Sequence, residues 1–403
     1  MTRQAFDDAV QYLRTETIGG LVMLGAAVLA LIIANTPWRS AYHSILGTEI
    51  GPAALHLDLT VSEWISDGLL AIFFFVVGLE LKRELVIGQL RSVKRAMLPV
   101  FAAFGGMLVP ALIAFSISHG APGAEKAWAV PLATDIAFAV AVLAIIASNL
   151  PSGVRVFLLS VAVVDDLGAI IVIATVFTTG VSFLSLGIAA VLLVGYAALQ
   201  KLRFQGALTA ILYIPLGLAV WYFVHNSGIH ATIAAVALGL LTRVKGDPGE
   251  EDPPAVRIEH LVQPFSSGFV VPIFALGAAG VTLSGGDLAR LFTDPVAIAI
   301  MVGLVFGKPI GVFLGSFVSV KARLAALPRN LDWSDIASVG LIAGIGFTVS
   351  LLIAELAFDD EAHIAVAKTA VLLASAIASV IGAVVLRFRS RRYAHMADET
   401  GSD

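Results

Sequence analysis

Asp165 and Asp166 stand side by side in VAVVDDLGAIIVIA, residues 161–174, a run that is otherwise wholly apolar. An aspartate at the centre of a membrane helix costs roughly 2.5–3.5 kcal/mol on insertion scales, so packing alone never favours two neighbours. Ionised together in low dielectric, the two carboxylates repel, and either a proton or a cation relieves that repulsion at the same oxygens. The chemistry this permits is competition between protons and a metal cation. Successive helical residues point about 100° apart, so the two side chains face different partners. One is placed to bind an ion, the other to carry a proton or pair with a lysine.

Lys308 supplies such a lysine. It lies in GLVFGKPIGVFLGS, where Pro309 and four glycines permit an irregular helix. A buried ammonium requires an anionic partner, and Asp165 is the one expected. Thr134 and Asp135 open the apolar segment PLATDIAFAVAVLAII, which is short for a regular crossing. Gly340, Gly344 and Gly346 punctuate GLIAGIGFTVSLLIAEL, each weakening a helix by about 1 kcal/mol relative to Ala. Both segments read as broken helices, with Asp135 facing Gly344 to Gly346 and compensating the dipoles of the opposed half-helix ends. Asp67 and Glu80 also fall inside apolar spans, with Glu355 and Lys368 nearer span ends.

The elements that must position these groups are membrane helices. The chain has 403 residues, 58% hydrophobic and 13% charged, and no polar segment long enough for a separate soluble domain, so residues 1–403 form one membrane domain. With no Cys, disulfides and thiolate metal sites are excluded. Residues 1–16 read as a short interfacial helix on the cytoplasmic side, residues 18–386 as the membrane-spanning part and 387–403 as a cytoplasmic tail. Hydropathy places twelve spans near 18–35, 61–81, 96–118, 131–148, 154–177, 182–200, 206–223, 228–244, 259–281, 295–319, 334–356 and 362–386. In the loop before the second span, HLDLTV between Gly and Pro residues is compatible with a small outer β-hairpin.

Charge tests the count independently. With both termini cytoplasmic, only Arg39, Lys126 and Arg290 of the 25 basic residues fall outside, while Lys308 and Lys368 lie within spans. A miscounted helix would scramble that asymmetry. The two interrupted spans, the fourth and the eleventh, occupy matching places in the triplets three to five and ten to twelve. Seven spans apart, those triplets have opposite orientation, as in an inverted-topology repeat with its ion site at the midplane.

Seven ordered motifs then carry a resemblance over almost the whole chain: GLELKREL from Gly78, ATDIAFAVAVLA from Ala133, VDDLGAI from Val164, SGIHAT from Ser227, IEHLVQPF from Ile258, FGKPIG from Phe306 and GIGFTVS from Gly344. Together they resemble the bacterial NhaA-type sodium/proton antiporters, a family that is itself a standard example of the inverted repeat. The resemblance implies that Asp166 is the principal sodium and proton carboxylate, that Asp165 pairs with Lys308, and that Thr134 and Asp135 cross Gly344–Gly346. It also implies a pH-responsive cytoplasmic mouth at Glu80, Arg83, Glu84, Glu259 and His260. Gln263 stands where relatives carry a second histidine, which bears on the pH set-point. A homodimer through the outer hairpin and residence in the bacterial inner membrane follow from the same resemblance.

The function expected is electrogenic export of sodium or lithium in exchange for protons, regulated by pH. No cofactor or nucleotide is implied, because there is no P-loop, and neither nucleic acid nor enzymatic chemistry is expected. A sodium-driven solute symporter is the nearest rival. A membrane-embedded aspartate enzyme fits less well: Asp165-Asp166 is followed by Leu-Gly-Ala rather than a third aspartate, and no GxGD occurs.

Overall fold

Hydrocarbon offers backbone N–H and C=O groups no partner, so an apolar chain of this kind must satisfy them within helices. The computed structural model describes residues 3–146, 150–178, 180–202, 207–246, 250, 252–283, 289–328 and 330–400, with side-chain surroundings from residue 17 to 394 apart from 207–210. Its elements are α1 (Arg3–Ala34), α2 (Arg39–Leu46), the two-residue strands β1 (Glu49–Ile50) and β2 (Leu59–Thr60), and α3 (Val61–Val86). Next come α4 (Val93–Ser118), a 3-10 segment Ala127–Leu132, α5 (Ile136–Ile146), α6 (Ser152–Val176), α7 (Phe183–Leu202), α8 (Ala207–His225) and α9 (Thr232–Leu241). The chain continues with α10 (Pro254–Ala278), α11 (Pro295–Lys321), α12 (Trp333–Ala343), α13 (Phe347–Ala357) and α14 (Glu361–Thr400).

Among the described residues, nine helices are long and apolar enough to cross a membrane, and the pair α12–α13, bent by 48° at its break, makes a tenth. Two further apolar helices, Ile211–His225 and Thr232–Leu241, are shorter. The protein is thus a mostly helical, polytopic membrane protein. The hairpin is present, with Glu49 opposite Thr60 and Ile50 opposite Leu59 in antiparallel register. One expectation changes: the N-terminal segment is not a separate interfacial helix but the start of α1, which runs unbroken from Arg3.

Among the described residues, three spans contain a π-turn: Trp64–Leu69 in α3, Ser266–Val270 in α10 and Gly303–Gly307 in α11. The third delivers Lys308 to the interior, as its glycine- and proline-rich sequence suggested. The glycines of α11 do more than loosen it. Gly303, Gly307, Gly311 and Gly315 recur every four residues and form one stripe against α4 and the 3-10 segment. A Cβ on Gly303 would lie 2.8 Å from Pro131 Cβ, one on Gly307 2.8 Å from Pro110 Cα, and those on Gly311 and Gly315 would enter the backbone at Gly105 and Phe101. Small residues at this spacing are what lets two membrane helices touch backbone to backbone.

That contact fixes how deep Lys308 sits. We expect Gly315→Val to force α4 and α11 apart at roughly 1–3 kcal/mol, the usual range for overpacking. The check is a lower melting temperature for the purified variant in detergent; a melting temperature equal to wild type would contradict the packing described.

Candidate functional site

α6 is an unbroken helix, and its apolar flanks carry both aspartates into the interior, where Asp165 and Asp166 are 1% and 4% exposed. Their partners differ, as the 100° step requires. The Lys308 ammonium donates to both Asp165 carboxylate oxygens, at 2.9 and 2.7 Å, and to the main-chain carbonyl of Leu132. Thr134 packs against the same carboxylate. Asp166 takes part in none of this. Its Oδ1 is buried and accepts no hydrogen bond, although Asp165, Glu80, Asp135 and Lys308 all lie within electrostatic reach. A buried carboxylate oxygen without a donor is a rarity, and it is the kind of ligand a hard cation or a proton selects.

The two interrupted spans cross beside this pair. Residues 133–135 lie outside any helix between the 3-10 segment and α5, with Ala133 extended, and residues 344–346 separate α12 from α13. The Thr134 hydroxyl donates to the Ala343 carbonyl at 2.8 Å, and the Asp135 amide donates to the Ile345 carbonyl at 2.7 Å. Asp135 is an N-cap for two helices at once. Its Oδ1 accepts from the Phe138 amide at 2.9 Å at the start of α5, while its Oδ2 accepts from the Thr348 amide at 3.1 Å and hydroxyl at 2.7 Å at the start of α13. One carboxylate therefore faces two positive helix ends.

Hydroxyls complete the crossing. Ser350 donates to the Val130 carbonyl at 2.8 Å, and the Phe347 amide donates to the Ser375 hydroxyl at 3.2 Å. Sequence reasoning did not single out Thr348, Ser350 or Ser375; the signal was the position of two of them just after a Gly-rich break, where free amides need acceptors. Gly344 and Gly346 are required by space, since a Cβ on Gly344 would lie 2.5 Å from the Leu304 carbonyl oxygen.

A second acidic group gathers at the ends of α3 and α10. Arg83 Nη1 lies 2.6 Å from Glu259 Oε1, with Glu259 wholly buried. Glu80, itself buried, and Glu84 stand within electrostatic reach of Glu259, and Glu80 also reaches Asp166, so it links this cluster to the buried pair. His260 is not drawn into the cluster: one residue on from Glu259 along α10, it is exposed. Glu80, Arg83, Glu84 and Glu259 are thus brought together, and His260 lies at their edge.

The remaining membrane charges are paired elsewhere. Asp67, in the π-turn of α3, lies 3.0 Å from His230 Nε2 and 3.7 Å from His225 Nδ1, and Trp221 donates to its main-chain carbonyl at 2.9 Å. Lys368 donates to Glu355 at 2.6 Å. Both pairs are distant in sequence from the aspartates of α6 and belong to different helix ends.

Known proteins resemble this chain over nearly its whole length. A family model described as Na+/H+ antiporter 1 matches residues 10–386. The chain is 56% identical over 385 residues to a protein of Saccharopolyspora erythraea named Na(+)/H(+) antiporter NhaA 1, covering 96% of this chain and 92% of that one. It is 51% identical over 391 residues to the Na(+)/H(+) antiporter NhaA of Nocardia farcinica, covering 97% and 93%. To the Na(+)/H(+) antiporter NhaA of Thermobifida fusca it is 49% identical over 399 residues, covering 97% and 96%.

Proposed function

The chain belongs to the Na+/H+ antiporter 1 family and exchanges sodium for protons across a membrane, and from that premise we propose that the exchange is carried out by Asp165, Asp166 and Lys308. The observation that carries this reading is the buried Asp166 Oδ1 with no hydrogen-bond donor, one residue from an aspartate already neutralised by a lysine. Sodium is a hard cation that suits carboxylate, hydroxyl and carbonyl oxygens. Asp166, Asp165, Thr134 and the Leu132 carbonyl offer such a set. Lithium has the same preferences and is the second cargo.

The cycle we infer is competitive. From the cytoplasmic side a sodium ion displaces the proton on Asp166 and takes over part of the role of the Lys308 ammonium at Asp165. The loaded site then faces outward, where protons displace sodium. Two carboxylates and a lysine exchange protons against one monovalent cation, so more protons than sodium ions move per cycle and the exchange is electrogenic. Asp135 remains at the two helix N-termini and holds the crossing while the charge beside it changes.

The architecture proposed for this cycle is a twelve-crossing inverted repeat. Its crossings are the nine long helices, the bent α12–α13 pair and the two shorter helices α8 and α9, with α4–α6 and α11–α14 as the opposed triplets. The basic residues at the ends of α3, α7, α11 and α14 support a topology in which those ends and both termini face the cytoplasm, with the bacterial inner membrane as the membrane crossed. The β1–β2 hairpin then lies outside, where it offers an edge for a homodimer. Glu80, Arg83, Glu84 and Glu259 form the pH-responsive cytoplasmic mouth, with His260 beside it.

Asp166→Asn removes both the proton and the charged ligand, and we expect it to abolish sodium-dependent exchange in vesicles read with a pH-sensitive dye. Asp165→Asn impairs exchange severely, in part because it strips Lys308 of its partner. Wild-type dequenching by the Asp166→Asn protein would overturn the assignment.

The mouth makes a separate prediction. Removing the Glu259 charge leaves Arg83 with a changed field beside Glu80, so Glu259→Gln shifts the midpoint of the rate–pH profile while keeping appreciable maximal activity. His260→Ala shifts it less, since that ring is outside the buried cluster. Profiles of both variants superimposable on wild type would show that these residues do not set the response.

A further inference from the structure

α14 is the longest helix, and one of its faces is regular in a way the transport cycle leaves unexplained. Lys368, Ser375, Gly382 and Arg389 follow one another at intervals of seven residues, and every one of them meets a half of the broken span. Lys368 pairs with Glu355 near the far end of α13 at 2.6 Å. Ser375 accepts the hydrogen bond of the Phe347 amide, the first of α13, at 3.2 Å. Gly382 lies against α12, where a Cβ on it would be 3.2 Å from Ile342 Cγ1 and 3.8 Å from Ile342 Cα. Arg389 reaches the start of α12: its Nη2 and Nε lie 2.7 and 3.1 Å from Asp335 Oδ1, and its Nη2 lies 3.3 Å from Asp332 Oδ2.

Between these positions the seam is packed by Val371, Ala374, Ala378 and Leu386, all buried. Ala378 Cβ is 3.4 Å from where Gly344 would carry a Cβ, directly at the break. A strict seven-residue repeat keeps one helix face against a partner over its whole length. Here the partner is interrupted and bent by 48°, so the unbroken helix spans the gap.

The inner end is strongly built. Asp335 and Arg389 are 2% and 8% exposed, the Tyr393 hydroxyl donates to Asp335 Oδ2 at 2.8 Å, and Asp335 Oδ2 also accepts from the Asp332 amide at 2.8 Å. An ion pair of this kind that touches no ion path is weak evidence for stability, because desolvation offsets most of its attraction. What it supplies is geometry, since a planar guanidinium held by two carboxylates allows little sliding or rotation.

We propose that α14 is a splint: its Lys368–Ser375–Gly382–Arg389 face fixes the two halves of the broken span at their bend, and Arg389 and Lys368 are positioning residues that act on the ion site through α12 and α13. The bend sets where Ala343, Ile345 and Thr348 meet Thr134 and Asp135, and thereby how closely that crossing lies against the aspartates of α6. The seam stays closed throughout exchange. This inference rests on the antiporter reading for its transport readout, so its test includes a measurement that does not depend on transport.

The chain has no cysteine, so a disulfide can be introduced without removing others. Arg389→Gln is compared with wild type for the apparent KM for sodium, and the backbone amides of residues 343–348 are followed by hydrogen exchange. We expect KM to rise roughly 2- to 30-fold, the range over which such indirect coupling acts, with maximal rate largely retained and faster exchange of those amides. Arg389→Lys recovers part of both. The pair Ile342→Cys/Gly382→Cys, oxidised, should leave exchange unchanged in the otherwise wild-type chain and should reverse both effects of Arg389→Gln. Loss of transport on oxidation, restored by a reductant, would overturn the closed seam. A wild-type KM and wild-type amide protection in Arg389→Gln would overturn the positioning role. If no variant, wild type included, exchanged sodium for protons, the antiporter reading would fail while the amide protection still decided the splint.

Discussion

The structure depends on one buried ion pair and on the charge left over beside it. An ammonium and a carboxylate taken out of water together are close to energetic balance, but removing either one strands a charge at roughly 3–5 kcal/mol. Lys308 and Asp165 satisfy each other, with the Leu132 carbonyl as a third point of contact. Asp166 is left with a buried oxygen that no group among the described residues serves. On the reading proposed for exchange, that asymmetry turns a pair of neighbouring aspartates into a site: one is paired with the lysine, the other takes a proton or a cation. The surrounding machinery keeps the pair dry and the lysine aligned. The glycine stripe of α11 brings it against α4, and the π-turn before Lys308 turns its side chain inward.

The crossing of interrupted spans solves a second problem by similar means. Two half-helices that begin at a crossing inside the protein leave free amides there, and two that end there leave bare carbonyls. Asp135 serves both beginnings, Lys308 and Ser350 serve carbonyls of the 3-10 segment, and Thr134 and the Asp135 amide serve those of the opposite chain. The dipoles and the ion pair therefore share residues. A change of charge at Asp165 is felt at Leu132, and through it at the break. This is a physical connection between ion binding and the shape of the crossing.

Much of this was legible in the amino-acid sequence, because charges inside apolar runs announce themselves. Asp165, Asp166, Lys308 and Asp135 stand out against their neighbours, and Gly344 and Gly346 mark a break by their poor helix propensity. The hydroxyls that complete the crossing were not legible. Ser and Thr are ordinary in membrane helices, and the bonds that give Thr348 and Ser350 their meaning join residues 213 and 220 positions apart. Glu259 and His260 could not be told apart either, since adjacent residues look alike until the helix face is known. The boundary between the N-terminal segment and the first span disappeared because the apolar residues Phe6, Val10 and Leu13 already recur at helical spacing, so α1 continues through it. The α11 glycines were read for flexibility, whereas their four-residue period serves close packing.

The central claim is that sodium and protons compete for the same buried oxygens. It is tested most directly by adding sodium chloride to purified protein in weakly buffered detergent solution and recording the pH. The account predicts prompt release of protons from the wild-type protein, saturating with sodium and absent from Asp166→Asn. Sodium binding, seen by calorimetry, with no proton release at any pH would contradict it.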